Sequence, residues 1–77
     1  MFNGANVDEQ DENGKTALHH AASVNCTLVV EILIINGANV LIRDKQERLT
    51  PGELAIVSKA YESFNIILKA VSRKIQQ

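Results

Sequence analysis

Residues 14–22 read Gly14-Lys15-Thr16-Ala17-Leu18-His19-His20-Ala21-Ala22, and an apolar run, Leu28-Val29-Val30-Glu31-Ile32-Leu33-Ile34-Ile35, leads into Asn36-Gly37-Ala38-Asn39-Val40. That last pentapeptide already stands at Asn3-Gly4-Ala5-Asn6-Val7, an offset of 33, and Asp11 falls on Asp44 at the same offset. A fixed period of this length marks a repeat architecture. Between Asp44 and Thr50 the second copy holds one residue more than the first holds between Asp11 and Thr16, so the offset becomes 34 from there on. The extra residue falls in a predicted turn, where changes of length are tolerated best.

Each segment of the period has its own local chemistry. Asn13-Gly14 is a tight-turn signal, because both residues accept positive φ. Thr16 is placed to cap a helix beginning at Ala17, its hydroxyl accepting from an orphan amide of the first turn. The chain breaks near Asn25, restarts as a helix from about Thr27 to Ile35, and stops at Gly37, where a left-handed residue suits glycine. In the second copy Thr50-Pro51-Gly52-Glu53 is a capping box with proline at the first helical position. A last helix is predicted from about Glu62 into the seventies, with Tyr61, Phe64, Leu68, Val71 and Ile75 spaced three and four apart on one face. The β-branched residues in Leu28–Ile35 suit a buried strand equally well on propensity. The repeat decides for helix, since a solenoid helix flanked by neighbours is apolar on nearly all sides.

These residues resemble the ankyrin repeat: a Gly-x-Thr-Pro-Leu-His-x-Ala-Ala signature at Gly14–Ala22, a Val pair at Val29-Val30, an apolar triplet at Ile32-Leu33-Ile34 and a Gly-Ala-Asp-Val-like end at Gly37–Val40. The resemblance implies an all-α solenoid of helix-turn-helix units with hairpin-like loops, about two repeats long. Its boundaries are 3–13 for the tail of a preceding repeat, 14–46 for a full repeat and 47–77 for a degenerate C-terminal capping repeat. The second repeat departs from the family where Gly52-Glu53 replaces Leu-His, and Asn25 and Lys59 stand where the family has glycine between its helices. Gly52 removes an expected core leucine and costs roughly 0.5–1 kcal/mol in a helix. Loss of the consensus on one side is expected of a cap whose outer face meets water.

Composition narrows the function. The net charge is −1 across 77 residues, so a basic nucleic-acid footprint is absent. The charges are nevertheless segregated, with Asp8, Glu9, Asp11 and Glu12 near one end and Lys69, Arg73 and Lys74 near the other. The apolar run is far short of the roughly 20 residues a membrane span requires. No signal peptide is visible, and Cys26 is the single cysteine, which excludes an internal disulfide; both point to an intracellular home, cytoplasmic or nuclear. No glycine-rich phosphate loop, catalytic triad or paired carboxylates appear, so an enzyme is not expected and no cofactor is implied. His19, His20 and Cys26 together raise a metal or redox site, but adjacent helical residues point about 100° apart and grip one ion poorly. In the family the histidine at position 19 ties the turn threonine, here Thr16, to the next loop. Asn25-Cys26-Thr27 forms a glycosylation sequon of a kind common by chance, and the acidic residues lack the ligand spacing of a calcium loop.

The resemblance implies a protein-protein interaction module, the C-terminal part of a longer array, binding a protein partner through positions the consensus leaves free. In the first repeat these are Glu12, Asn13, Lys15, Ser23 and Val24; in the second, Lys45, Gln46, Glu47, Arg48 and Ser58. The alternative from a structural class is a cap that docks on a neighbouring domain and has no partner surface of its own. An open N-terminal flank at Ala17, Leu18, Ala21, Val29 and Leu33 further implies self-association, because solenoid units bury their cores only against neighbours.

Overall fold

The computed structural model describes residues 6–75; the start of the first pentapeptide and the side chains of Lys74 and Ile75 lie outside the residues described. Four helices follow in order: α1 Ala17–Ser23, α2 Thr27–Ile35, α3 Pro51–Val57 and α4 Tyr61–Ile75. No strand occurs among the described residues, and the β-branched run is helical as the repeat requires. The helices form two hairpins, α1/α2 and α3/α4, stacked so that α1 packs on α3 and α2 on α4. Leu18, Ala22, Val30, Leu33, Ala55, Ala60 and Ile67 form the continuous core between them.

Local chemistry starts and stops each helix. The Thr50 hydroxyl accepts from the Glu53 amide at 3.2 Å while the Glu53 carboxylate accepts from the Thr50 amide at 3.0 Å, completing the predicted capping box. Thr16 is capped in the same way, with histidine in the glutamate's place: His19 Nδ1 accepts from the Thr16 amide at 3.0 Å. Both interhelical turns place a non-glycine residue in the left-handed region, Asn25 at φ 57° and Lys59 at φ 61°. The residue after each turn donates back to an alanine carbonyl, Cys26 to Ala21 and Ala60 to Ala55. Two units with different sequences therefore close the same turn.

The inserted residue is absorbed inside a loop clamped by one carboxylate. Asp11 Oδ1 accepts from the amides two and four residues ahead, Asn13 and Lys15, both at 2.9 Å. Asp44 Oδ1 accepts from those three and five ahead, Glu47 at 3.0 Å and Leu49 at 3.1 Å. The Asp amide closes each loop from the other side, bonding Lys15 O in the first and Leu49 O in the second. The insertion lengthens the spanned segment and leaves Thr16 and Thr50 equivalent.

Three expectations need correction. In α4 the buried side is Ser63 and Ile67 with Phe64, Ile66, Ala70 and Val71 half-buried, whereas Tyr61 and Leu68 are exposed. A three-and-four spacing also fits a stripe displaced around the helix, and the buried serine hid the true face. Gly52 leaves no leucine-sized gap: a Cβ there would stand 3.3 Å from an Ile67 methyl, so the Ile67 side chain occupies the space. On the expected open flank, Leu18, Ala21 and Leu33 are buried, leaving Ala17 exposed and Val29 half-buried. Val24 and Leu28 complete the open part of that flank.

Candidate interaction surface

The two hairpin loops lie side by side and are joined by backbone. The Lys45 amide donates to the Asn13 carbonyl at 2.8 Å, which brings the chain so close to Gly14 that a Cβ there would lie 2.6 Å from Lys45 N. Gly14 also sits at φ 79°, so this position needs glycine on two counts. Beneath the loops the Lys15 ammonium reaches across to Asp44 Oδ2 at 3.1 Å and to Gln46 Oε1 at 2.8 Å. Burial pushes the Asp44 carboxyl up, but the Leu49 and Glu47 amides and then Lys15 outweigh it and hold the pKa down to about 2. Asp11 is likewise held below the usual carboxylate range, first by its hydrogen bond to His20 and then by the Lys15 amide.

Two further ties run from repeat to repeat. The His19 ring is buried with both nitrogens engaged: Nδ1 accepts from the Thr16 amide, so the proton resides on Nε2, which donates to the Leu49 carbonyl at 2.8 Å. Asn25 supplies the other tie from the α1–α2 turn. Its Oδ1 accepts from the Ser63 amide at 3.2 Å and hydroxyl at 2.9 Å, and its Nδ2 donates to Glu62 at 2.7 Å. Residue chemistry alone gave no sign of this tie, because Asn25 was explained by its turn geometry and Ser63 reads as a surface residue. The repeat offset held a clue, since Ser63 falls where the first repeat has apolar Val29.

The sequence-predicted surface residues separate into three groups. Glu12, Asn13, Lys45, Gln46, Glu47 and Arg48 are exposed together on the paired loops. Lys15 stands among them but is spent on Asp44 and Gln46, with its side chain only 15% exposed. Ser23 is half-buried and donates to the His20 carbonyl, Val24 is open to solvent on the upstream flank, and Ser58 is exposed at the end of α3. Of the metal or redox candidates, His19 has no free ring nitrogen, His20 Nε2 faces Asp11 at 2.9 Å, and Cys26 is exposed. No group of three or more His, Cys, Asp or Glu among the described residues is placed to hold a metal. No helix there is long and apolar enough to cross a membrane.

Stacked helical hairpins, projecting paired loops and a histidine that ties one unit to the next define a helical-repeat scaffold. The family model for ankyrin repeats, in three copies, matches residues 1–77, and the chain belongs to the ankyrin repeat family. The chain is 36% identical over 75 residues to alpha-latroinsectotoxin-Lt1a of Latrodectus tredecimguttatus, a match covering 90% of this chain and 5% of that protein. It is 32% identical over 77 residues to an ankyrin repeat protein of fowlpox virus (strain NVSL), covering 95% and 23%. With human Rabankyrin-5 the identity is 35% over 75 residues, covering 96% and 6%. The chain thus spans less than a quarter of the length of each of these curated relatives. Ankyrin repeats are generally protein-protein interaction modules and non-enzymatic scaffolds.

Proposed function

We infer that this chain is a protein-binding module of an intracellular scaffold and that its partner surface is the loop ridge of Glu12, Asn13, Lys45, Gln46, Glu47 and Arg48. The carrying observation is that these side chains are exposed on backbone that is internally fixed by the Asp11 and Asp44 clamps and the Lys45–Asn13 bond. A pre-ordered ridge loses little entropy on binding, and its mixed charges supply selectivity instead of a general attraction to polyanions. Ser23, Val24 and Ser58 lie away from the ridge at the far ends of α1 and α3, while Lys15 acts beneath it as a brace. The free, exposed thiol of Cys26 agrees with a reducing compartment.

The test compares a partner recovered with the unaltered chain against two sets of variants. Alanine at Glu12, Asn13 and Glu47 is expected to abolish recovery with the fold intact by circular dichroism. Alanine at Lys69 and Arg73 on α4 is expected to leave recovery unchanged. The reverse pattern overturns the assignment to the loops. A second reading, a terminal unit docked on a neighbouring domain, is favoured by the exposure of Ile56, Val57, Tyr61 and Leu68. Loss of the partner on Ile56→Asp, with the loop variants neutral, would select it.

A further inference from the structure

α2 and α4 pack side by side, and between them runs a groove of about 420 Å³ to which neither α1 nor α3 contributes a residue. Both walls belong to this chain, so the groove is distinct from the faces on which one repeat stacks upon another. Its floor is Ile34, Ile66 and Ala70, each half-buried. Ile35 stands at its lip with 82% of its surface exposed, the most of any large apolar side chain among the described residues.

The walls differ in length and in charge. At the offset of 34, Lys69 is the counterpart of Ile35 and Val71 of Gly37. Gly37, at φ 88°, turns the first repeat out of α2, whereas α4 runs on through Val71 to Ile75. Ala70 and Arg73 therefore extend the α4 wall beyond the position at which α2 stops, and this wall is particular to the second repeat. Lys69 and Arg73 stand one turn apart along it, both exposed. Lys15 and Arg43 are paired with Asp44 and Glu53, but Lys69 and Arg73 have no ion-pair partner among the described residues. The dipole of α4 favours cations only within its last turn and does not account for Lys69, six residues before Ile75. On the opposite wall Glu31 of α2 is exposed and likewise unpaired among the described residues.

An apolar floor with two cations along one side and a carboxylate on the other complements an amphipathic helix whose apolar stripe has acidic residues along one edge. Glutamates one turn apart on such a ligand match Lys69 and Arg73, while Glu31 repels acid on the far edge and so fixes which way round the ligand lies. The volume falls within the about 300–1,000 Å³ of ligand clefts. An anionic membrane fits less well, because lipid-binding segments gather roughly four to eight cations and Glu31 would face the same headgroups. We propose that the α2–α4 groove binds an acidic amphipathic helix of a partner protein, its apolar stripe on Ile34, Ile35 and Ile66 and its acidic edge against Lys69 and Arg73. The site is separate from the loop ridge and takes a ligand of different chemistry. Alanine at Lys69 and Arg73 therefore releases this ligand while leaving the ridge's partner bound.

Fluorescence anisotropy of a labelled helical peptide tests this, the peptide carrying leucines at alternating third and fourth positions and glutamates along one edge of that stripe. The chain is expected to bind it, and Lys69→Ala with Arg73→Ala to weaken binding by about tenfold. Lys69→Glu with Arg73→Glu is expected to abolish binding and to capture instead a peptide with lysines in place of the glutamates. Ile35→Asp, at a position too exposed to disturb folding, is expected to weaken binding of the glutamate peptide with the fold intact by circular dichroism. Alanine at Glu12, Asn13 and Glu47 is expected to leave it unchanged, and loss there would move the peptide to the ridge and overturn the proposal. Equal binding of a peptide with serines for the leucines would reduce the site to a general attraction for acid and overturn it too. So would retention on vesicles of anionic lipid without peptide binding, or a glutamate peptide left free at high micromolar concentration of the chain.

Discussion

Gly14 and His19 hold the two repeats together by different means. At Gly14 a methyl group would meet the Lys45 amide nitrogen at 2.6 Å and would also force an L side chain to φ 79°, so Gly14→Ala is expected to cost more than the about 1–2 kcal/mol of left-handed strain alone. The denaturant midpoint should fall correspondingly, and an unchanged midpoint would mean that the loops do not approach as described. His19 is costly to lose because its ring serves two backbone groups from a dry site: it accepts from the Thr16 amide to close the cap and donates to the Leu49 carbonyl. His19→Ala leaves the Thr16 amide without its acceptor and the Leu49 oxygen with the Asp44 amide alone, and is expected to destabilise by about 2 kcal/mol. His19→Gln, which offers an acceptor and a donor, should recover part of this.

The helices show what a sequence can and cannot disclose. Asn25 and Lys59 occupy the same turn at nearly the same φ, yet only Asn25 reaches across to α4. Substitution by glycine is therefore expected to act with opposite sign at the two sites. Asn25→Gly loses the Ser63 and Glu62 bonds and should cost about 1–2 kcal/mol, while Lys59→Gly relieves left-handed strain and should gain about 1 kcal/mol. Thermal melts of the two variants decide this, and shifts in one direction would refute it. Helix positions and caps were legible because period, Thr16, Thr50 and Gly37 all point to the same boundaries. The paired loops were legible from the Asn13-Gly14 signal and the Asp11/Asp44 correspondence. The buried face of α4 was not, since Ser63 is buried through a bond to a residue 38 positions away. Nor was the bracing role of Lys15, because nothing local distinguishes a lysine facing solvent from one that spans to the next loop.

At the scale of the whole molecule, acid should loosen the joint between repeats. The carboxyls of Asp44, Asp11 and Glu53 are all held below their ordinary values in the folded chain, Glu53 chiefly by the Thr50 amide and then by Arg43. A carboxylate whose folded pKa lies below its unfolded one adds stability that is complete above the unfolded value and is lost as pH falls through the folded one. For Asp44 that window runs from 3.8 down to about 2. Urea midpoints are expected to hold above the window and to drop steeply within it, and Asp44→Asn should flatten the drop. An equally steep fall in that variant would assign the acid response elsewhere.

The single-carboxylate clamp on each loop bears on how such a chain changes over generations. Because Asp44 gathers the amides of Glu47 and Leu49 around an added residue while Thr50 keeps its place, a gain or loss of a codon here alters the outline of the ridge without disturbing the helices behind it. The loop is a tolerant site for insertion mutations, and recognition can drift there while the scaffold is inherited intact. A further residue placed between Gln46 and Glu47 is accordingly expected to change stability by less than about 1 kcal/mol, whereas one placed between Ala21 and Ala22 should unfold the chain. Deep insertional scanning of residues 11–60 would read this as a tolerant window at 45–48, with the helices and the Asn13-Gly14 turn pressed against Lys45 admitting almost nothing.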